Sequence, residues 1–214
     1  IGGLVNPDIE RIADLCKNSG VTLVEDCAHS LGSTLSGKHT GLFGDAGVYS
    51  LYATKAIPVG EGGIVVTKDQ ELFNMAEKFI MYDRFDQKLN VGINFRMSEI
   101  NALLAFAVIN ETESIIENKY LIADKYIKAC EDFGWSYINP TIDNQRANLY
   151  KFILLSRNEN PEQDFHNITA RTSPVYNYYL GDDKSEIIKR HVCLPIWFGL
   201  EGSSVDNVVS ELHR

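Results

Sequence analysis

The 214-residue sequence has no apolar run near the roughly 20 residues that a bilayer-spanning helix needs, and nothing in it reads as a membrane anchor. Its first residues lack a basic segment followed by an apolar stretch, so no secretion signal is visible. Cysteine is scarce. Cys16, Cys27, Cys130 and Cys193 form no Cys-x-x-Cys pair, and neither Cys/His spacing nor His-Glu-x-x-His suggests zinc. Reduced thiols in a cytoplasmic protein without a metal are the expectation. Positive charge is in deficit: 20 Lys and Arg stand against 29 Asp and Glu, a net charge of −9. A surface of that sign repels phosphate backbones, which excludes a general nucleic-acid binder. Internal repeats and low-complexity tracts are absent. An initiator Met is missing too, since the sequence opens Ile1-Gly2-Gly3, and the expectation is that the natural gene begins upstream.

With 44% hydrophobic and 23% charged residues, the composition is that of a folded globular protein. The first half alternates helix and strand signals. Asn6 as cap, Pro7 and the apolar Ile9, Ile12, Ala13 and Cys16 predict a helix that Gly20 stops. The unalternating runs Val21 to Val24, Gly47 to Tyr52 and Ile64 to Thr67 predict strands buried on both faces. Between the first two, Ser36 to Gly41 reads as a hairpin turn. Asp69 caps a predicted helix to about Met81, Ser98 starts another, and a further helical pattern closes at Gly134. Beyond Gly134 the elements shorten: strands at Tyr150 to Leu155 and Val192 to Ile196, then a helix from Ser204 to Leu212. The fold class is therefore α/β followed by a small α+β part, with the boundary between Leu121 and Pro140.

Two opposite charges follow buried strands, Asp26 after the first and Lys55 after the second. Ligands of open α/β sheets bind outside the carboxyl ends of the strands, so both groups are placed to meet one. A lysine there is a potential Schiff-base nucleophile, and a nearby acid suits a pyridinium nitrogen. Ser50 stands five residues before Lys55 with a hydroxyl suited to a phosphate. Each residue has a plainer reading: Lys55 as a solvated surface residue, Asp26 as a turn former, His29 as a backbone-satisfied core histidine, Ser50 as a strand hydroxyl. Gly60 to Gly63 precedes a strand rather than a helix, so it reads as a tight turn and not as a phosphate cradle.

Four segments narrow these alternatives. Val24-Glu25-Asp26-Cys27-Ala28-His29, Gly44 through Lys55, Gly60-Glu61-Gly62-Gly63 and Gly92 through Ile100 resemble, in order and spacing, motifs of the DegT/DnrJ/EryC1/StrS family of sugar aminotransferases. The resemblance is clear from Asn6 to about Ala107 and continues in outline at Val192 to Pro195. It implies the fold type I, aspartate-aminotransferase-like architecture. On that pattern residues 1–120 are part of the large three-layer α/β/α domain that binds pyridoxal 5′-phosphate, and 121–214 are the small C-terminal α+β domain. The implied activity is transfer of an amino group, usually from glutamate, to a keto group on a nucleotide-linked sugar.

Carried over residue by residue, the resemblance implies that Lys55 is the Schiff-base lysine and moves the proton in catalysis. Asp26 would pair with the pyridine nitrogen, His29 would approach the phenolic oxygen and Ser50 would bind the phosphate. Asn94 would reach the phosphate of a neighbouring subunit, which implies a homodimer with shared active sites. Arg96 and Tyr82 are substrate-side candidates. Tyr82-Asp83 stands where the family often has His-Gly. The family's phosphate-binding Gly-Thr turn and stacking aromatic precede the region matched here, and nothing before Asn6 supplies them. A non-catalytic or regulatory fragment of the same fold is therefore a second expectation. A related sugar dehydratase is a third, disfavoured because those relatives carry histidine at the position of Lys55.

Overall fold

A computed structural model describes residues 2–81, 93–161, 163–165 and 186–213. The chain opens with helix α1 (Ile9–Asn18). Asn6 does not cap α1 directly: its Oδ1 accepts from the Asp8 backbone N at 2.9 Å, making a turn that feeds the helix two residues later than the sequence suggests. Gly20, at φ +65°, closes it, as only a residue without a Cβ does without strain.

Strand β1 (Val24–Asp26) follows, then the hairpin of β2 (Thr34–Leu35) and β3 (Lys38–His39), turned by Ser36 and Gly37 at φ 50° and 80°. Two successive positive φ values match the right-handed twist of the strands they join. Next come β4 (Ala46–Ser50) and β5 (Gly63–Thr67). β1 pairs parallel with β4, Asp26 opposite Val48, and β4 pairs antiparallel with β5, Ser50 opposite Gly63. The carboxyl ends of β1 and β4 therefore lie on one edge of the sheet.

Helix α2 (Gln70–Met81) is capped as expected, the Asp69 carboxylate accepting from Glu71 N at 2.7 Å and Leu72 N at 3.1 Å. Ser98 likewise caps α3 (Glu99–Asn110), accepting from Asn101 N at 3.2 Å. Helix α4 (Thr112–Phe133) ends at Gly134, φ +70°. β6 (Ser136–Tyr137), β7 (Gln145–Arg146), β8 (Phe152–Leu155), the short α5 (Glu186–Arg190), β9 (His191–Leu194) and α6 (Gly202–Leu212) complete the order. β7 joins the edge of the β2–β3 hairpin, tying the second half of the chain to the first. β6, β8 and β9 form an antiparallel sheet against which α4 and α6 pack. Tyr126, Phe152, Leu154, Val205 and Leu212 are among the residues of this second core.

α4 runs unbroken across residues 120 and 121, and the second core begins within it at Ile122. We propose the division into residues 1–120 and 121–214 on that basis.

One expectation fails. Strands β1, β4 and β5 are not buried on both faces: Val24 is 56% and Val65 59% exposed, and Val48, the residue paired with Val65, is also exposed. Pairing and alternation place these valines on one face of the sheet, the face that also carries Asp26. The opposite face buries Glu25 and Tyr49. The unalternating valine pattern thus reflects a sheet whose second face is uncovered among the described residues. Helix α3 is similar, with Ile100, Leu103 and Phe106 exposed and Ala105 its one buried residue among those described. All four cysteines are free thiols.

Candidate active site

The register of β1 with β4 fixes the first part of the site. Asp26 and Val48 are partners and Ser50 lies two residues beyond Val48, so Asp26 and Ser50 share one sheet face near the carboxyl edge. The Asp26 side chain is exposed there. Its Oδ1 accepts from Ala28 N at 3.0 Å, an Asx turn that orients the carboxylate and leaves Oδ2 without a protein partner among the described residues. The Ser50 Oγ accepts from Tyr52 N at 3.3 Å, which leaves its proton to donate elsewhere.

Lys55 sits in a closed loop beyond β4. Ala53 N donates to Gly60 O at 2.8 Å, Lys55 N to Tyr52 O at 2.9 Å and Val59 N to Leu51 O at 2.9 Å. The buried side chains of Ala56, Ile57 and Val59 anchor it. Gly60, at φ +96°, turns the chain back into β5, the tight-turn role that its sequence position suggests. The Lys55 Nζ lies 5.4 Å from the centroid of the Tyr150 ring, and His29 meets the same ring at 4.5 Å between centroids.

His29 thus links the two halves of the site. Burial first, and then the positive charge of Lys55, push its pKa down from 6.5 to about 4, while Asp26 opposes the shift. The ring is therefore neutral at physiological pH. Gly2 N donates to His29 Nδ1 at 3.3 Å, which puts the ring proton on Nε2 and makes that nitrogen a donor. His29 is partly buried, and both charged candidates of the site, Lys55 and Asp26, are among its electrostatic neighbours.

Beneath β1, the buried Glu25 carboxylate accepts from Gly41 N, Phe43 N and Gly44 N, each at 2.7 Å. Three charge-assisted bonds to one loop fix the strand that ends in Asp26. From the other side Asn148, 1% exposed, donates its Nδ2 to His29 O at 3.0 Å and Leu31 O at 2.9 Å, while its Oδ1 accepts from Tyr150 N at 2.9 Å. Lys119 of α4, 2% exposed, reaches Ala56 O at 3.5 Å and Leu149 O at 3.3 Å. The carbonyl beside Lys55 and the carbonyl beside Tyr150 thereby share one ammonium.

The sequence reading missed Tyr150, Asn148 and Lys119 as site residues. Lys119 alone left a signal: it occupies the apolar stripe of α4, four residues after Ile115 and seven before Tyr126. A lysine inside such a stripe is out of place unless the fold uses it.

A cavity of about 770 Å³ opens beside Lys55, bounded by Tyr150, the α3–α4 junction, and Trp197 and Phe198 after β9. Asp26, His29, Ser50 and Asn94 do not line it, so the structure brings Lys55 to this cavity while Asp26 and Ser50 stand on the open sheet face. Asn94 and Arg96 are adjacent and interacting: Asn94 Oδ1 accepts from Arg96 Nε at 3.1 Å. Tyr82 lies outside the described residues, as do Asp83 and Thr172 to Tyr176.

An amine, an oriented carboxylate, a neutral imidazole donor and a hydroxyl around the carboxyl edge of a partly parallel sheet define an α/β protein with the groups that a carbonyl-bearing phosphate ligand needs. Solved structures share its fold. An aminotransferase TlmJ from Streptoalloteichus hindustanus matches over 99% of this chain and 63% of its own, with TM-score 0.87 and 23% identity. Helicobacter pylori PseC, an aminotransferase involved in the biosynthesis of pseudoaminic acid, matches at TM-score 0.83 with the same coverage and identity. The model of the DegT/DnrJ/EryC1/StrS aminotransferase family matches residues 1–213, and the chain belongs to that family. Among curated relatives, the GDP-perosamine synthase of Escherichia coli O157:H7 is 36% identical over 125 residues, covering 56% of this chain and 34% of that protein. The chain thus spans about a third of that relative's length in the match and 63% of each of the two solved structures.

Proposed function

We propose that the chain is part of a pyridoxal 5′-phosphate-dependent aminotransferase that moves an amino group, from glutamate as donor, to a keto group on a nucleotide-linked sugar. What supports this reading is that Asp26 and Ser50 share one sheet face, that His29 and Lys55 both approach the Tyr150 ring, and that the model of an aminotransferase family matches residues 1–213.

The donor set fits the cofactor: a carboxylate for a pyridine nitrogen, an imidazole N–H for a phenolic oxygen, a hydroxyl for a phosphate and a primary amine for an aldehyde. When bound, pyridoxal phosphate supplies an electron sink for the pair left when a substrate carbon loses its proton. In this reading Asp26 keeps the pyridine nitrogen protonated through its unpaired Oδ2. His29 donates through Nε2. Ser50 gives its hydroxyl proton to a phosphate oxygen. Lys55 would hold the cofactor through its aldehyde, and its amine would be the group that carries the proton at the substrate carbon.

Asn94 and Arg96 stand on an exposed segment beside the apolar, solvent-facing side of α3, which supports a homodimer in which Asn94 reaches the partner's phosphate site. No described helix is long and apolar enough to cross a membrane, and we place the protein in the cytoplasm as part of this proposal.

A second reading, that the 214 residues alone are non-catalytic, is favoured by one observation: Asp26 and three valines stand on a sheet face that no described element covers. Incubation with pyridoxal phosphate and glutamate, with 2-oxoglutarate quantified, separates the two. Release that vanishes in Lys55→Ala supports the aminotransferase. Release that persists in that variant overturns it, and no release from the folded chain favours the second reading.

A further inference from the structure

Three lysines line the cavity beyond Lys55's loop: Lys55 itself, Lys119 and Lys151. They are close together. The ammonium groups of Lys55 and Lys151 lie 5.4 and 5.2 Å from the centroid of the same Tyr150 ring, and Lys119 Nζ is 3.3 Å from the carbonyl of Leu149, the neighbouring residue. None of the three makes an ion pair with a carboxylate among the described residues. The carboxylate on the cavity wall, Glu111, accepts instead from Ser114 Oγ at 3.2 Å.

Lys119 is the most telling member. It is 2% exposed, and its two protein acceptors are neutral carbonyls at 3.3 and 3.5 Å, so one of its three N–H donors has no protein acceptor. A buried ammonium without a counter-ion is costly, and burial followed by repulsion from Lys151 pushes its pKa down to about 8. It still carries its charge at neutral pH. In a chain of net charge −9, three unpaired cations around one cavity mark a place where an anion is the missing partner. The volume of about 770 Å³ lies within the roughly 300–1,000 Å³ of ligand pockets.

We propose that this cavity holds an oxyanion subsite in which Lys119 and Lys151 receive an anionic group of a substrate. Resting on the aminotransferase reading, that group is either the diphosphate of the nucleotide-linked sugar or the carboxylate of the amino donor. The subsite itself needs no cofactor, so its test stands apart from the test of that reading.

The experiment is isothermal titration of the cofactor-free chain with inorganic pyrophosphate, guanosine diphosphate and glutarate, followed in parallel by emission of Trp197 at the cavity wall. Saturable binding that Lys151→Gln and Lys119→Met each weaken by about tenfold or more, the worth of one charge-assisted hydrogen bond, supports the subsite. Lys125→Gln, whose amine pairs with Asp206 on the surface, serves as a control that leaves affinity unchanged. Tighter binding of guanosine diphosphate than of glutarate assigns the subsite to the nucleotide, and the reverse order assigns it to the donor. Absence of binding by all three ligands, or unchanged affinity in either folded variant, overturns the proposal. If Lys119→Met does not fold, Lys151→Gln decides alone.

Discussion

Replacing Asn148 by alanine tests how the two halves of the chain are joined at the site. The side chain is buried and makes three hydrogen bonds, donating to His29 O and Leu31 O and accepting from Tyr150 N at 2.9 to 3.0 Å. Removing it orphans two part-buried carbonyls and one part-buried amide, each at about 1–3 kcal/mol, so a loss of about 4 kcal/mol is expected. For a chain of this size the melting temperature falls by roughly 2–4 °C per kcal/mol, or about 8–16 °C in all. Asn148→Leu separates the lost bonds from a cavity, because leucine fills a similar volume while leaving the same three groups unsatisfied. Urea titration gives the free energy. A local readout accompanies it: with its backbone released, His29 leaves the Tyr150 ring and its titration, followed by NMR, returns from about 4 toward 6.5. A loss under about 1 kcal/mol in both variants, with His29 unmoved, would refute the reasoning.

Three further outcomes follow from the same structure. Glu25→Gln sets an amide NH2 among three backbone donors that now point at a carboxylate, and denaturant unfolding should show a loss of about 3 kcal/mol, against near-neutral behaviour for a solvated glutamate such as Glu10. Gly47→Ala places a Cβ 2.3 Å from Gly41 Cα and 2.7 Å from Gly41 O, backbone atoms that cannot swing aside, so calorimetry should give a destabilisation of about 3 kcal/mol or a failure to fold. His29 is held neutral when folded and titrates near 6.5 when unfolded. The unfolded chain therefore binds the extra proton first, and the His29 contribution to stability is present above pH 6.5 and lost as pH falls toward 4. Comparing the pH dependence of unfolding for wild type and His29→Asn isolates that slope; identical slopes would contradict the assignment.

What the sequence made legible was local. Asp69, Ser98 and Gly134 announce helix ends because the groups they satisfy lie within a few residues of each. The placement of Asp26 and Lys55 after the carboxyl ends of two strands was legible for a related reason, since β1 and β4 form one parallel pair that carries its ends to the same side. Tyr150, Asn148 and Lys119 were not, because their partners are remote: the bond from Asn148 to His29 spans 119 residues and that from Lys119 to Ala56 spans 63. No pattern of period 2 or 3.6 encodes such pairs. The valine-rich strands misled in a different way. A run without polar alternation reports that both faces of a strand are apolar, not that both are covered, and Val24, Val48 and Val65 remain exposed in the chain described here.

The account turns on Lys55 as the residue that holds the cofactor. The chain is mixed with pyridoxal phosphate, reduced with borohydride, digested and mapped by mass spectrometry. A single dominant modification at Lys55, lost in Lys55→Ala and weakened in Asp26→Asn, is the predicted result. Modification spread evenly over surface lysines, with Lys55 not enriched, would contradict it.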